Sequence, residues 1–263
     1  MQTIHSIRIW KLSDKARAAF AEAGVELTPD AWSHTVAEND PQWAAVEALV
    51  ERFNLDDVAR VEYSDEDRNA ADFLRIQSRA QMGYPQPAMD GSYRSATFDL
   101  AGYCKFCGIG QIQKAPFRLK KTPASARSIM GLNCICDELF VNLEVWKEVF
   151  EPLGIGCRPL VLDRTGAEIA SVVQLEIPQV AGLPVEGFPC KVCRRCGRTR
   201  YDSGALRLAP CPKPDATGAP IFKSSQYFGS GAMAYHLILV SRLVFQKIGA
   251  AGLTRVNFVP CAR

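Results

Sequence analysis

Apolar positions recur along this chain at two spacings, and the switch between them marks out strands and helices. Ile4 to Leu12 is apolar enough for a strand. Ser13 can cap a helix on whose single apolar face Ala16, Ala19, Phe20 and Ala23 fall, and Gly24 can stop it. Asp40 followed by Pro41 is a second start signal, and Trp43, Val46, Val50 and Phe53 then recur at helical spacing. Val58 to Tyr63 reads as a short strand, Ser64 to Arg68 as an acidic turn and Phe73 to Gln77 as another strand. Gly83, Pro85, Pro87 and Gly91 break Met82 to Tyr93 into a loop. This pattern predicts an N-terminal α/β segment over 1–80 and a second domain over 81–263.

The second part contains an imperfect repeat. Asp137 to Val141 leads to Asn142, a possible cap, and a helix follows with Val145, Trp146, Val149, Phe150 and Leu153 on its apolar side. Gly154 ends it, and Pro159 to Leu162 is extended again. Further on, His236 to Val240 leads to Ser241, then to a helix with Leu243, Val244, Phe245 and Ile248, then to Gly252 and the extended Arg255 to Val259. Trp146 and Phe245 are expected in the core, and both glycines are expected to end their helices with positive φ. Each copy lies downstream of a Cys-x-x-Cys-Gly, which strengthens the case for duplication. Arg198 to Ser203 reads as strand and turn, and Ala209 to Pro220, rich in proline, as irregular.

Composition narrows the class without naming a function. Apolar residues make up 48% and charged residues 22% of the 263, ordinary globular values that exclude disorder and coiled coil. No apolar run reaches the roughly 20 residues of a membrane helix. Arg8, Lys11 and Asp14 interrupt the N-terminus before a signal-peptide core can form, so the expected compartment is the cytoplasm, with no membrane partner. Charge is uneven: residues 1–100 hold 10 Lys/Arg against 17 Asp/Glu, and residues 101–263 hold 21 against 11. An acidic front on a rigid scaffold suits steered association with a basic partner. Glu47, Glu51, Asp56, Asp57, Glu62, Asp65, Glu66 and Asp67 are its candidate contact residues.

The ten cysteines carry the clearest chemistry. Without an export signal, spaced cysteines read as metal ligands or redox thiols. Cys104-Lys105-Phe106-Cys107-Gly108 and Cys193-Arg194-Arg195-Cys196-Gly197 together supply four thiolates, the set that tetrahedral Zn²⁺ takes in a closed structural site. Each pair then forms a knuckle whose backbone N–H groups point at the sulfurs, and the following glycine supplies a positive φ. The expected cofactor is one structural Zn²⁺ on Cys104, Cys107, Cys193 and Cys196. Cys190 offers a competing register with Cys193, which Arg194 disfavours because a glycine completes the turn only after Cys196. Cys134 and Cys136, with Cys190 and Cys211, make a second candidate set, while Cys157 and Cys261 read as packing residues.

Catalytic signals are absent: three scattered histidines, no HExxH and no GxxxxGK[ST]. The chain is therefore expected to be no enzyme, with no catalytic residues. Lys191, Arg194, Arg195, Arg198 and Arg200 form a basic cluster that reads either as a phosphate contact or as a solvated face.

The two CxxCG knuckles, Ile221-Phe222-Lys223 and the ending Gly252-Leu253-Thr254-Arg255-Val256-Asn257-Phe258 together resemble the double-CXXCG motif family, a set of paralogues in Myxococcus. The resemblance covers residues 75–263. Many family knuckles carry proline after the first cysteine, where this chain has Lys105 and Arg194. The resemblance implies a non-catalytic cytoplasmic immunity protein that binds and neutralises a cognate swarming-inhibition toxin. Two other classes stay open: a zinc-ribbon nucleic-acid-binding module and a CxxC thiol redox protein. The expected fold is α+β, with two pseudo-repeated strand–helix–strand halves joined by a four-cysteine zinc-knuckle site behind a small N-terminal α/β segment.

Overall fold

In the computed structural model, which describes residues 1–28, 30–124, 128–202, 209–212 and 218–262, the chain divides into Met1–Asp67 and Arg68–Arg263. The first unit contains β1 (Gln2–Arg8), α1 (Asp14–Glu22), β2 (Ser33–Ala37), α2 (Trp43–Phe53) and β3 (Asp57–Glu62), and α3 (Asp65–Ala70) begins at its end. Its sheet is antiparallel in the order β2-β1-β3. Ser13 caps α1 as its position predicts, its hydroxyl accepting from the Ala16 N–H at 3.3 Å, and Gly24 follows the helix at φ 74°. Asp40 accepts from the Gln42 N–H at 2.9 Å, and α2 begins at the next residue. Ile7, Ile9, Phe20 and Val46 close the core between sheet and helices. The expected acidic turn at Ser64–Arg68 is instead the start of α3, which Asp65, Glu66 and Asp67 favour because carboxylates suit a helix N-terminus.

The second unit opens with β4 (Phe73–Ser78), β5 (Ala80–Gln81), α4 (Tyr93–Thr97), β6 (Phe98–Asp99), β7 (Ile112–Gln113), β8 (Arg118–Leu119), β9 (Met130–Leu132) and β10 (Ile135–Asn142). Next come α5 (Leu143–Val145), which continues as a π turn to Phe150 and a 3₁₀ turn to Leu153, then β11 (Cys157–Leu162) and β12 (Glu168–Leu175). After these follow β13 (Val180–Ala181), β14 (Cys190–Val192), β15 (Thr199–Tyr201), β16 (Ala209–Pro210), β17 (Ile221–Ser224), β18 (Tyr227–Phe228), β19 (Ile238–Ser241), α6 (Arg242–Ala250) and β20 (Val256–Ala262). Ser203 and 213–217, which the sequence reads as turn and irregular chain, lie outside the described residues. Among the described residues no helix is long and apolar enough to cross a membrane.

Two six-stranded sheets organise this unit, in the orders β5-β9-β10-β12-β11-β8 and β13-β17-β19-β4-β20-β16. Position by position their directions agree. The outermost pair at each end is parallel, and the three pairings between are antiparallel. The register agrees too. Phe140, Val141 and Asn142 face Gln174, Val173 and Val172, just as Leu239, Val240 and Ser241 face Arg75, Leu74 and Phe73. Strand alternation then sorts the side chains. Val141, Val173, Leu74 and Val240 fall in one core with Phe150, Val244 and Ile248 of the helices. Phe140 and Val172 fall in a second core, and Leu239 and Phe73 in a third.

The division between Asp67 and Arg68 comes ahead of the boundary expected at 80. The reason is β4, which lies between β19 and β20 inside a sheet of the second unit. Asn142 and Ser241 both hold extended backbone before their helices, and Gly154 and Gly252 follow them at φ 71° and 64°. The helices differ, the first being wound as π and 3₁₀ turns and the second a regular α-helix. Trp146 and Phe245 are half-buried rather than buried. The Trp146 indole N–H donates to the Ile155 carbonyl at 2.9 Å, and Phe245 meets Phe258 edge-on at 4.9 Å. Leu243 is exposed, because Val244 and Ile248 take the core-facing side of α6.

Candidate metal centre

Both Cys-x-x-Cys pairs sit at the tips of two-stranded hairpins. β6 and β7 pair around the first and β14 and β15 around the second. The local turns are alike. Cys104 N–H donates to Ile109 O at 2.9 Å and Gly108 N–H to Cys104 O at 2.8 Å. In the second, Cys193 N–H donates to Arg198 O at 2.9 Å and Gly197 N–H to Cys193 O at 2.8 Å. Gly108 and Gly197 hold φ 80° and 71°, as a tight turn at that position requires. Gly108 carries a second constraint, since a Cβ there would lie 2.5 Å from the Ala232 carbonyl oxygen.

The two tips bring their sulfurs together. Cys104 Sγ lies 3.8 Å from Cys193 Sγ, Cys107 Sγ lies 3.6 Å from Cys196 Sγ, and all four fall within 4.8 Å of one another. An ion bound tetrahedrally at about 2.3 Å from each sulfur would set the sulfurs about 3.8 Å apart. Disulfide sulfurs approach to about 2.05 Å, so these distances describe a ligand set and no disulfide. The donor set therefore fits one metal ion.

Backbone dipoles prepare the set for thiolate. The N–H groups of Cys107 and Phe106 point at Cys104 Sγ and bring that thiol down to about 6. Those of Arg195 and Cys196 lower Cys193 in the same way. Burial pushes Cys107 up to about 12, against the Ile109 N–H that points at its sulfur. A metal ion would take over the work of holding that proton off.

The basic residues around the second knuckle divide into two groups. Arg198 Nη2 donates to Gly102 O at 2.6 Å, and Arg200 Nη1 donates to Cys107 O at 2.9 Å and to Gly231 O at 2.5 Å. Arg195 lies over the Phe106 ring at 4.8 Å. These three side chains clamp one knuckle to the other. Lys191 and Arg194 are exposed. Among the described residues, Cys104, Cys107, Cys193 and Cys196 are the one group of metal-ligand type. Cys134, Cys136, Cys190 and Cys211 do not assemble into a second.

The acidic residues of the first unit are exposed apart from the half-buried Asp67, and they are dispersed. Glu47 and Glu51 lie on α2. Asp56 and Asp57 lie at one end of β3, and Glu62 lies at the other. Several are already paired: Asp56 with Arg8 at 3.2 Å, Asp57 with the His5 ring at 2.6 Å, Glu62 with Arg60 at 3.0 Å, and Asp67 with the N-terminal ammonium.

One polar constellation was invisible in the sequence. Glu138 on β10 accepts from Lys223 Nζ of β17 at 2.5 Å and from Gln174 Nε2 of β12 at 2.8 Å. Gln174 and Gln113 of β7 exchange two amide hydrogen bonds at 2.7 and 2.9 Å. This nearly buried chain ties the first knuckle hairpin to both large sheets. Burial pushes the Glu138 carboxyl up, opposed by Lys223. No family model, curated protein or solved structure matches the chain.

Proposed function

We propose that the chain is a zinc-stapled, non-catalytic cytoplasmic protein of the double-CXXCG type that binds and neutralises a cognate toxin. The observation that supports it is the convergence of the two CxxCG knuckles, the motif on which the resemblance rests, into one four-sulfur set. Zinc suits that set because four thiolates at tetrahedral edge spacing, with no open position, match a closed structural site. The clamping roles of Arg198 and Arg200 weaken the nucleic-acid reading, since one Nη of each is engaged with backbone carbonyls that hold the two knuckles together. Nucleic acid remains an alternative partner, distinguished by an affinity that falls steeply with salt.

Affinity capture from the organism that encodes the chain, with intact-mass identification, tests this function. A captured protein whose toxicity the chain suppresses is the expected result. Reversing Glu47, Glu51 and Glu66 should then slow association several-fold and leave metal content unchanged. Thiol-dependent turnover, or tight nucleic-acid binding with no protein partner, would contradict the proposal.

We further propose that the second unit is a tandem duplication whose copies exchange strands. In chain order, each copy runs through a central strand, an edge strand, a knuckle hairpin, a second edge strand, two large-sheet strands, a helix and a final strand, with α4 added before the first knuckle hairpin and β18 added between β17 and β19 in the second copy. β4 opens the first copy but lies in the second sheet, and β12 opens the second copy but lies in the first. Each copy would thus lend its opening strand to the other, and each supplies two of the four thiols. Cleavage at a protease site placed in the Asp163–Thr165 turn should leave two fragments that co-elute in native buffer with the metal retained. Fragments that separate without denaturant would overturn the exchange.

A further inference from the structure

The residues between the cysteines are Lys105 and Phe106 in the first knuckle and Arg194 and Arg195 in the second. All four are exposed, Phe106 to 52%. Because the four sulfurs lie within 4.8 Å of one another, the two loops meet and these side chains share one surface. The Phe106 ring marks the junction. Arg195 of the other loop lies over it at 4.8 Å, and its neighbour Lys105 lies over it at 5.6 Å. Among the described residues, none of Lys105, Arg194 and Arg195 meets a carboxylate.

The metal centre does not account for these cations. Four thiolates on a divalent ion leave two negative charges. Arg198 and Arg200, bonded to the Gly102 and Cys107 carbonyls at 2.6 and 2.9 Å, already bring two positive charges to the knuckles. Each loop is closed by a glycine N–H on the first cysteine's carbonyl at 2.8 Å, so the three exposed cations are held near one another rather than free to spread. Their mutual repulsion is relieved by an anionic partner. A guanidinium stacked on a ring keeps its edge N–H donors turned outward, in the fork that takes a carboxylate bidentately. The same stack occupies a face of the one aromatic ring in the two loops, where a nucleobase would have to lie. That favours the carboxylates of a peptide over a nucleic-acid strand.

We propose that the knuckle tips dock an acidic segment of a partner protein, with one carboxylate on the Arg195 fork and neighbouring carboxylates on Lys105 and Arg194. This surface rests on the protein-partner reading above, and it takes charge opposite to that taken by Glu47, Glu51 and Glu66. Phe106 is a positioning residue there, since it holds Arg195 and leaves the carboxylates to the cations.

Titration of the metal-loaded chain followed by ¹H–¹⁵N NMR tests this. The probes are the capped peptide acetyl-Gly-Glu-Asp-Glu-Gly-amide, its uncharged counterpart acetyl-Gly-Gln-Asn-Gln-Gly-amide, and the thymidine tetranucleotide, whose phosphates match the acidic peptide's charge. Saturable shifts of the knuckle amides with the acidic peptide, none with its counterpart and weaker ones with the tetranucleotide are expected. The combined Lys105→Gln, Arg194→Gln and Arg195→Gln variant should weaken peptide binding about tenfold with metal content unchanged. Arg194→Gln alone, which breaks no ion pair or hydrogen bond among the described residues, should weaken it about twofold. Lys120→Gln, Lys121→Gln and Arg164→Gln together, at exposed cations outside the knuckles, should leave the affinity as it is. Phe106→Leu should weaken binding about threefold by releasing Arg195, and Phe106→Tyr should restore it. A toxin captured equally by the parent and the knuckle variant would overturn this docking surface while supporting the toxin reading. No saturable response to the acidic peptide, an equal response to its counterpart or to the tetranucleotide, or an equal loss in the two triple variants would overturn it as well.

Discussion

Replacing any one of Cys104, Cys107, Cys193 and Cys196 with serine is expected to release the metal and unfold much of the second unit. Structural zinc–thiolate sites contribute on the order of 10 kcal/mol of apparent folding free energy, as much as a whole domain's net stability. The geometry makes the loss severe here, because the four sulfurs join two hairpins that lie far apart in the sequence. Removing one ligand leaves three sulfurs crowded within 4.8 Å of one another with no cation to hold the two hairpins together. Cys157→Ser should be nearly silent, since that thiol is half-buried and lies outside the set. Cys261→Ser should cost more than Cys157→Ser and far less than a knuckle change, because burial already pushes its thiol up and a hydroxyl there needs a partner. Chemical denaturation with parallel metal analysis separates these three levels.

Lys223→Met should produce the second-largest effect. The substitution removes the cation from Glu138, whose carboxylate is buried among β10, β12 and β17. Breaking a buried ion pair on one side costs about 3–5 kcal/mol, because the remaining charge is stranded. The sign of the pH dependence follows from Glu138. Burial already holds its carboxyl above the ordinary value, and loss of Lys223 removes an influence that lowers it. A carboxyl raised in the folded state keeps its contribution at low pH and loses it as pH rises through the folded value. The variant should therefore be closest to the parent in acid and furthest from it above neutrality. Glu138→Leu combined with Lys223→Met should recover part of the loss, as an apolar pair carries no stranded charge. Equal destabilisation of the single and double variants would show that Lys223 matters only through its packing.

Features that the sequence made legible are those in which one residue and its near neighbours decide the outcome. The cap at Ser13 and the positive φ of Gly24, Gly154 and Gly252 need only local backbone rules. The knuckles belong to the same class, because each turn is closed by hydrogen bonds within six residues. Convergence of the two pairs was also readable, since neither pair alone satisfies a tetrahedral ion.

What stayed hidden depends on residues distant in the chain. β12 carries Ile169, Val172, Val173 and Leu175 without strict alternation, because both its faces are covered, and it gave no period-2 signal. β4 was legible as a strand but not as a member of a sheet whose other strands come more than a hundred residues later. Arg198 and Arg200 read as surface charge until their carbonyl partners are known. The Glu138–Lys223 pair shows the same limit. A charge in a β-rich stretch reads as a solvent-facing residue until the partner that meets it from another sheet is in place.

We propose that the four knuckle cysteines hold one zinc ion. Elemental analysis of the full chain purified under reducing conditions without added metal, paired with native intact-mass measurement, tests it most directly. One zinc per chain, lost together with the fold when any of Cys104, Cys107, Cys193 or Cys196 becomes serine, is the predicted result. Well under one equivalent of zinc in folded protein, or a Cys104–Cys107 disulfide persisting in reductant, would contradict it.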